Sequence, residues 1–253
     1  MLKKRLIFTL LIDGDQFVLS RNFNLQKVGN IDWLFNNYNF SNISSYIDEL
    51  IILNVRNKKK NFENFCSLIK KITKEVFIPI GAGGGIEKVE DVKKLLRSGA
   101  DKVVINSLLL ENRNELRKIA KVVGKQSIIG SLDVIKNNRN FYVYDNNKCE
   151  AVIELGFLLE KIPSKDIGEL YITSIDKDGT GQGYLLNIID KSKSKIKSPI
   201  IISGGAGNWK HLLEGLEHKN INAVSTANLL NFIGSGFKNA RIELLKKLDL
   251  PKW

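Results

Sequence analysis

The sequence predicts a single (β/α)8 barrel, the α/β fold class also called the TIM barrel, and three observations support that prediction. Eight short apolar runs alternate with polar and amphipathic stretches along the chain. The two halves of the chain resemble each other at a nearly constant offset, as an internal duplication would produce. No linker or shift in composition divides the 253 residues. We therefore expect one domain over residues 1–253, built from two half-barrels of about 1–123 and 124–253.

The predicted strands are short runs rich in Ile, Leu and Val, and eight βα units fit a chain of this length. The first apolar run, 6–12, follows lysines, as the apolar part of a secretory signal does. However, the run is short, ends at Asp13 and precedes no small-residue cleavage site, so we interpret it as a buried first strand. The eight predicted strands are 5–12, 49–55, 76–81, 101–106, 127–134, 169–175, 199–203 and 222–227.

Amphipathic segments between these strands carry apolar residues at i, i+3 and i+4, which predicts helices over 61–72, 89–99 and 114–123. Cys66 falls within the first of them, where a buried structural thiol is the favoured interpretation. The insertion FYVYDNNKCE (141–150) follows the fifth strand and predicts a hairpin over the mouth of the barrel, with no role that its residues indicate.

The internal duplication shows in two pairs of segments. ELIILNV (49–55) matches ELYITSI (169–175), and PIGAGGG (79–85) matches PIIISGGAG (199–207). The offset is 120 residues in both pairs, from 49 to 169 and from 79 to 199. Repetition of this kind indicates four βα units that occur twice.

Composition narrows the class of ligand. The formal net charge is +12, but the lysines are spread along the chain without an aromatic stacking motif, so small phosphorylated ligands are favoured over nucleic acid.

No apolar run is long enough to cross a bilayer, so no membrane partner is expected. The two cysteines, Cys66 and Cys149, are too few for a disulfide framework, which favours a reducing, cytoplasmic setting. No metal-ligand spacing occurs, and we expect neither a metal nor a cofactor.

Glycine clusters follow the third and seventh predicted strands. Glycine lets backbone N–H groups approach a phosphate closely, although tight βα turns also use glycine for structural reasons. Two clusters related by the duplication predict two phosphate sites at opposite sides of the barrel mouth. The polar segment ITSIDKDGTGQGY (172–184) favours a ligand-facing loop beside the second site, with a capped turn as the alternative. The predicted binding residues are Gly84, Gly85, Asn106, Ser107, Thr173, Asp178, Gly179, Gly204, Gly205 and Asn228.

Together, KKRLIF, IDEL, VFIPIGAGGGI, GADKVVINS, GELYITSIDKDGTGQGY and PIIISGGAG resemble the cyclase subunit of imidazole glycerol phosphate synthase, the HisF family, from about residue 2 to about residue 235. The resemblance implies that ammonia from a separate glutaminase passes through the barrel to a bis-phosphorylated ribulosyl substrate. It also implies two aspartates, on the first and fifth strands, that act as general acid and base. The sister isomerase of histidine biosynthesis shares the half-barrel repeat, but TSIDKDGT with SGGAG is closer to the cyclase.

The catalytic pair is only half present. Asp133, in GSLDV, matches the fifth-strand aspartate, whereas the first-strand aspartate maps to Leu11. The family lysine of the following loop maps to Leu19, and the aspartate after the second strand maps to Asn54. Asp13 is the candidate replacement for Leu11. It lies two residues further along an extended strand, roughly 6–7 Å away, a large displacement for a proton-transfer group.

At the opposite face, the resemblance implies a ring of charges that gates the ammonia route, and this chain retains all four members. Groups of both signs that converge on a barrel axis must pair, because unpaired buried charge is costly. The sequence offers no glutaminase of its own, so a HisH-type glutaminase is expected to dock at this amino-terminal face. The predicted gate residues are Arg5, Glu49, Lys102 and Glu169.

Three functions stay open at the level of sequence. A retained gate with a damaged acid–base pair favours a divergent paralogue that delivers ammonia for the amidination of surface sugars, with a third, sugar-modifying enzyme as a further partner. A genuine histidine-pathway cyclase, forming imidazole glycerol phosphate and AICAR, is the first alternative. A non-catalytic barrel that binds and scaffolds a glutaminase is the second.

Overall fold

The computed structural model describes residues 3–38, 40–56, 62–162, 164–228 and 230–251. The charge of the lysine-rich run NKKKN (57–61) predicts a solvated loop or a helix end, and the run lies outside the described residues. The strands of the described part are β1 Arg5–Asp13, β2 Gln16–Arg21, β3 Asn24–Gly29, β4 Glu49–Arg56, β5 Ile80–Gly83, β6 Lys102–Ile105, β7 Ile128–Asn137, β8 Asn140–Asp145, β9 Glu150–Glu154, β10 Glu169–Ser174, β11 Ile200–Ser203 and β12 Ala223–Thr226.

Helices lie between the strands of the barrel. The three predicted from the periodicity are confirmed, with ends that shift by no more than two residues. In order, the helices are α1 Ile31–Asn37, α2 Phe40–Ile43, α3 Phe62–Ile72, α4 Val89–Arg97, α5 Ser107–Glu111, α6 Arg113–Val123, α7 Leu155–Lys161, α8 Asn187–Ser192, α9 Trp209–Glu217 and α10 Gly236–Leu245, with short 3-10 turns at Lys125–Ser127 and Lys193–Lys195.

Eight of the strands form a closed parallel barrel. The order around it is β1-β4-β5-β6-β7-β10-β11-β12, and β12 pairs with β1 to close the ring. Closure leaves Arg5 beside Ala223 and Ile7 beside Glu49. The architecture confirms the predicted (β/α)8 barrel, and places the starts of all eight strands at one face and their ends at the other.

Two strands extend beyond the barrel at its carboxyl-terminal face, one in each half of the chain. β1 continues into the antiparallel pair β2–β3, and β7 continues into β8–β9. The second pair is the hairpin predicted over 141–150, which is therefore confirmed and is somewhat longer than expected. The first pair was not predicted, because the turn at Asn22 and Phe23 lacks glycine although both residues have positive φ, 48° and 64°.

The first strand is buried, as expected. Its outward residues, including Leu6, Phe8 and Leu10, are fully buried beneath the helices, and Phe8 packs against Phe237 of α10 at 4.6 Å between ring centroids. The predicted strand 76–81 was placed too early, since β5 begins at Ile80. Pro79 immediately precedes it and has no N–H to donate to a strand ladder. Among the described residues, no helix is long and apolar enough to cross a membrane.

The interior of the barrel has a compact apolar layer of its own. Ile7, Ile51, Val104, Ile129 and Ile201 are all at most 3% exposed and form one cluster with Tyr171 and Ala223. This apolar layer lies between the two faces of the barrel. Each face carries a cluster of polar side chains.

Candidate active site at the carboxyl ends of the strands

A cavity of about 190 Å³ lies at the strand ends. The side formed by β1, β3 and β4 carries Leu11, Leu25 and Leu53 next to the polar Thr9. The opposite side is polar and includes Asp133 of β7 and Thr173 of β10. Inward-facing residues of different strands thus form one wall, as the (β/α)8 fold requires.

Asp133 presents its carboxylate to this cavity from the fifth strand of the barrel. Its Oδ2 accepts hydrogen bonds from Nδ2 of Asn106, at 3.2 Å, and from Nδ2 of Asn146, at 2.5 Å. Asn106 also donates to the backbone oxygen of Ser131 at 3.1 Å, so its orientation is fixed. Asn146 belongs to the turn between β8 and β9, and the sequence alone gave no sign of this contact. Donors on two sides hold the carboxylate in place.

Leu11, rather than Asp13, faces Asp133 across the cavity. Leu11 lines the wall and is 9% exposed, whereas Asp13 is not among the residues that line it. Asp13 follows a break in the β1–β4 register and pairs with Gln16 of β2. The structure therefore does not bring Asp13 to Asp133, and a catalytic role for Asp13 stays a prediction without geometric support.

A second cavity, of about 240 Å³, adjoins the first beneath the loops that follow β10, β11 and β12. Gly204 and Gly205 have φ values of 90° and 112°. A Cβ on Gly205 would lie 2.1 Å from the backbone oxygen of Gly183, so close packing of the backbone already requires glycine there. Arg21 of β2 supplies a cation to the wall. The predicted residues that line this cavity are Asp178, Gly179, Gly204, Gly205 and Asn228.

Asp178 lines both cavities and joins the β2–β3 hairpin to the loop after β10. Its carboxylate accepts hydrogen bonds from the hydroxyl of Ser20 and from the backbone N–H of Phe23, the latter at 3.1 Å. Burial raises the pKa of this carboxyl, although both hydrogen bonds oppose the shift. Asn22 adds a backbone hydrogen bond to the Asp178 oxygen at 3.0 Å. The hairpin is therefore held over the mouth.

The residues predicted for the first phosphate site are only partly assembled. Gly84 and Asn106 line the first cavity, whereas Gly85 and Ser107 do not. The hydroxyl of Ser107 lies 3.5 Å from Nδ2 of Asn147, and that amide also donates to the carboxylate of Glu111 at 3.3 Å. An acidic side chain therefore stands beside the predicted anion position.

Charged side chains meet at the amino-terminal face, where β1, β4, β6 and β10 begin. Arg5 donates to Glu49 at 2.7 Å and also pairs with Glu169. Lys102 lies 3.1 Å from both carboxylate oxygens of Glu49 and 2.8 Å from Glu169. Each cation thus contacts both anions. We call these four residues the ion-pair ring.

The ring is largely buried, and burial competes with pairing in setting the pKa of each acid. Burial raises the pKa of Glu49, whose side chain is 2% exposed, against the attraction of Lys102 and Arg5. Burial would also raise the pKa of Glu169, but hydrogen bonds and attraction from Arg5 and Lys102 prevail and lower it. The two positive charges balance the two negative charges, as a buried cluster requires.

Hydroxyl groups form a buried cluster that the sequence analysis missed. The phenol of Tyr171 donates to Ser203 at 2.8 Å and lies 3.2 Å from the hydroxyls of Thr9 and Ser225. Thr9 and Ser225 are 2.6 Å apart. These residues come from four strands and point inward together, which single-sequence periodicity cannot reveal.

Within the described part of the chain, the cysteine and histidine side chains do not come together in a further site. Among the described residues, no group of three or more His, Cys, Asp or Glu side chains could hold a metal ion. Cys66 is buried in α3, and burial raises the pKa of its thiol. His211 accepts from the N–H of Gly207, and His218 pairs with Asp190 at 2.9 Å.

Known proteins resemble the chain over nearly its whole length. Residues 22–233 match the family described as Histidine biosynthesis protein. A Parasynechococcus marenigrum protein named as imidazole glycerol phosphate synthase subunit hisF2 is 40% identical over 256 residues, 100% of this chain and 95% of that protein. A hisF2-named subunit from Campylobacter jejuni is 35% identical, with 98% and 97% covered. The HisF subunit of Chlorobium limicola is 30% identical, with 99% of both chains covered.

Proposed function

The chain belongs to the histidine biosynthesis family and is a HisF-type subunit of the imidazole glycerol phosphate synthase kind; within that family, we propose an ammonia-delivering role. In this role it takes ammonia from a HisH-type glutaminase at the amino-terminal face, passes it along the barrel axis and releases it to a phosphorylated substrate at the mouth. The acceptor chemistry is the amidination of a sugar rather than imidazole ring closure.

The ion-pair ring carries the proposal. A buried set of two cations and two anions costs desolvation energy and is not needed to close a (β/α)8 barrel, whose core can be apolar. A ring in which each cation contacts both anions can exchange partners without leaving any charge unpaired. This property suits a gate for a small neutral molecule such as ammonia.

The mouth supports acceptor chemistry other than the cyclase reaction. Ring closure and cleavage need proton transfers at separate points of one substrate, so the cyclase needs paired carboxylates. Here the position opposite Asp133 is Leu11, and Leu19 and Asn54 replace two further charged residues of the family pattern. A channel needs its gate but does not need this pair.

Two partners follow from the two faces. A glutaminase docks where β1, β4, β6 and β10 begin, because ammonia must enter through the ring. A third, sugar-modifying enzyme takes up ammonia or a nitrogen-bearing product at the mouth.

A histidine-pathway cyclase is the second candidate, and one observation favours it. Asp133 and Asp178 line the same cavity, so two carboxyl groups do face one ligand. Burial raises the pKa of Asp178, which would suit a proton donor. Against this role, its carboxylate is engaged by Ser20 and Phe23.

One pair of assays separates the candidates. The purified chain is first supplied with ammonium salt and the bis-phosphorylated ribulosyl substrate of the cyclase, and imidazole glycerol phosphate is measured. We expect no turnover; turnover that is lost in Asp178→Asn would establish the cyclase instead.

The second assay measures glutamine hydrolysis by a HisH-type glutaminase from the same source, with and without the chain. We expect stimulation that falls in Lys102→Met and persists in Lys121→Met, a matched removal of an exposed lysine on α6. A chain that neither stimulates nor binds the glutaminase refutes ammonia delivery.

A further inference from the structure

We propose that Tyr171 is an inner gate on the axial route between the ion-pair ring and the mouth. The gate opens when an ammonia molecule replaces the Tyr171 phenol as the hydrogen-bond partner of the buried hydroxyls beside it. This inference rests on the proposed function and deepens it, because it names the groups that would admit ammonia to the mouth. The buried hydroxyls, here called the hydroxyl cluster, belong to Thr9, Tyr171, Ser203 and Ser225.

The inward-facing residues of β1 show the order of the levels along the barrel axis. Arg5 belongs to the ion-pair ring and Ile7 to the apolar layer. Thr9 belongs to the hydroxyl cluster, and Leu11 lines the first cavity. Successive levels are two residues apart on an extended strand, about 6–7 Å. A molecule that moves along the axis from the ion-pair ring therefore meets the apolar layer first and the hydroxyl cluster second.

Tyr171 takes part in both of these levels. It is 2% exposed and packs in the apolar layer, where it is the largest side chain. Its phenol reaches the next level, where it donates to Ser203 and lies 3.2 Å from the hydroxyls of Thr9 and Ser225. One side chain thus spans both levels between the ion-pair ring and the mouth.

The apolar layer is closely packed where β5 approaches it. A Cβ added to Gly81 of β5 would lie 3.3 Å from Ile51, 3.5 Å from Ile129 and 3.6 Å from Val104. A single additional methyl group would therefore contact three side chains of the layer, all of them at most 3% exposed. Interiors packed in this way contain few voids larger than a water molecule. Because ammonia is of similar size to water, it can pass only if a side chain moves.

Tyr171 has both the space and the chemistry for such a movement. It lines the first cavity, so its aromatic ring can move towards the mouth. Moving the phenol alone would deprive the other hydroxyls of a partner, which is costly for buried polar groups. Ammonia has three N–H donors and a lone pair, so it can take the place of the phenol at these hydroxyls. An apolar molecule cannot do so, and an ion would lose its hydration, so the gate favours a small neutral molecule that forms hydrogen bonds.

NMR spectroscopy of the full chain, isotopically labelled at the Cζ atoms of tyrosine, tests the gate with two amines. Ammonia and trimethylamine are bases of comparable strength, but trimethylamine is larger and, as the free base, has no N–H to donate. In mildly alkaline buffer, we expect ammonia to shift the Tyr171 resonance saturably and trimethylamine to leave it unchanged. The resonance is identified by its absence from the spectrum of Tyr171→Phe. Tyr38, a buried phenol that packs against the outward-facing Phe8, should respond to neither amine.

The opening itself is measured in the same samples. Nuclear Overhauser effects between the aromatic ring of Tyr171 and the methyl groups of Ile201, its paired residue on β11, should weaken at saturating ammonia as the ring leaves the layer. Ser225→Ala removes one hydroxyl of the cluster and should weaken ammonia binding about tenfold, the effect of one lost hydrogen bond. Ser192→Ala, the matched loss of a buried serine hydroxyl on α8, should leave the binding unchanged.

Four results would overturn the inference. They are an unshifted Tyr171 resonance, an equal response to trimethylamine, Overhauser effects that persist at saturating ammonia, and unchanged ammonia binding by Ser225→Ala. The comparison of the two amines uses the wild-type chain and does not depend on the folding of a variant. Glutaminase stimulation is measured separately, so stimulation by a chain whose Tyr171 does not respond would overturn the inference alone and leave ammonia delivery standing.

Discussion

Lys102→Met is the most informative perturbation of the ion-pair ring. Lys102 is 17% exposed at its side chain and contacts both carboxylates of the ring, at 3.1 Å and 2.8 Å. Methionine keeps much of the stem volume and removes only the charge. The variant leaves Arg5 alone between two acids, so the described ring changes from neutral to a net charge of −1.

The expected loss of unfolding free energy is the difference between two effects, the lost ion pairs and the removed desolvation cost. At an effective dielectric constant of about 20, a pair at this separation attracts with roughly 5 kcal/mol, and Lys102 loses two such pairs. Removing the ammonium also removes its own desolvation cost, which is several kcal/mol. Since Glu49 stays buried with one partner, we expect a net loss of about 3–5 kcal/mol of unfolding free energy. For a chain of this size, that corresponds to a fall in Tm of roughly 6–20 °C.

The destabilisation caused by Lys102→Met should decrease at low pH. The pKa of Glu169 is lowered in the folded protein, because the hydrogen bonds and attraction from Arg5 and Lys102 outweigh its burial. An acid with a lowered pKa stabilises the fold above its unfolded value of about 4.3, and this stabilisation is lost as the pH falls through the folded value. The difference in Tm between wild type and Lys102→Met should therefore be full at pH 7 and should shrink below about pH 4.

Differential scanning calorimetry from pH 3.5 to pH 8 measures this, with Lys121→Met as the control for a lysine outside the ring. We expect the control to match wild type within about 0.5 kcal/mol, as exposed substitutions usually do. If Lys102→Met melts with the control at pH 7, the four charges do not act as a coupled set, and the gate argument loses its physical basis.

Three further variants test other parts of the structure. Arg241→Met removes a buried bidentate pair with Asp48, whose side chain is 1% exposed, and should cost about 3–5 kcal/mol in chemical denaturation; a change below about 1 kcal/mol would show that this pair does not stabilise the fold. Gly205→Ala forces a Cβ to within 2.1 Å of a backbone oxygen and should abolish phosphate binding in calorimetry, whereas Gly181→Ala, with its nearest atom at 3.9 Å, should retain it. Tyr171→Phe leaves three buried hydroxyls short of a partner and should lower stability by about 1–3 kcal/mol, and an unchanged Tm would show that they rearrange without loss.

Local pattern and internal repetition together predicted most of the barrel. Seven predicted barrel strands overlap the observed ones nearly end to end, because buried parallel strands read as continuous apolar runs. The third was misplaced, since Val76 and Ile78 are buried in the approach to β5 without belonging to its ladder. The β2–β3 hairpin escaped prediction because its turn uses Asn and Phe at positive φ instead of glycine.

The candidate site was predictable only where residue type and position coincide. Asp133 could be found because it lies near the end of a predicted apolar strand, in a recognisable motif. Asn146 could not be predicted, because it approaches Asp133 from the turn of the β8–β9 hairpin. Hydrophobic periodicity does not indicate how that hairpin folds back over the mouth. The Tyr171 hydroxyl cluster depends on the register of four strands, which only the closed barrel fixes.

The two faces of the barrel argue for a division of labour rather than for general decay of an enzyme. Loss of function alone would relax both faces together, yet the ion-pair ring keeps every member in mutual contact at a desolvation cost. At the mouth, Leu11, Leu19 and Asn54 are all neutral where the resemblance to the HisF family implies charged residues. A less charged mouth beside the second cavity, which Arg21 lines, is what the proposed change of acceptor would require. Under the proposed function, the ring that would admit ammonia is therefore complete, whereas the mouth would serve an acceptor other than that of the cyclase.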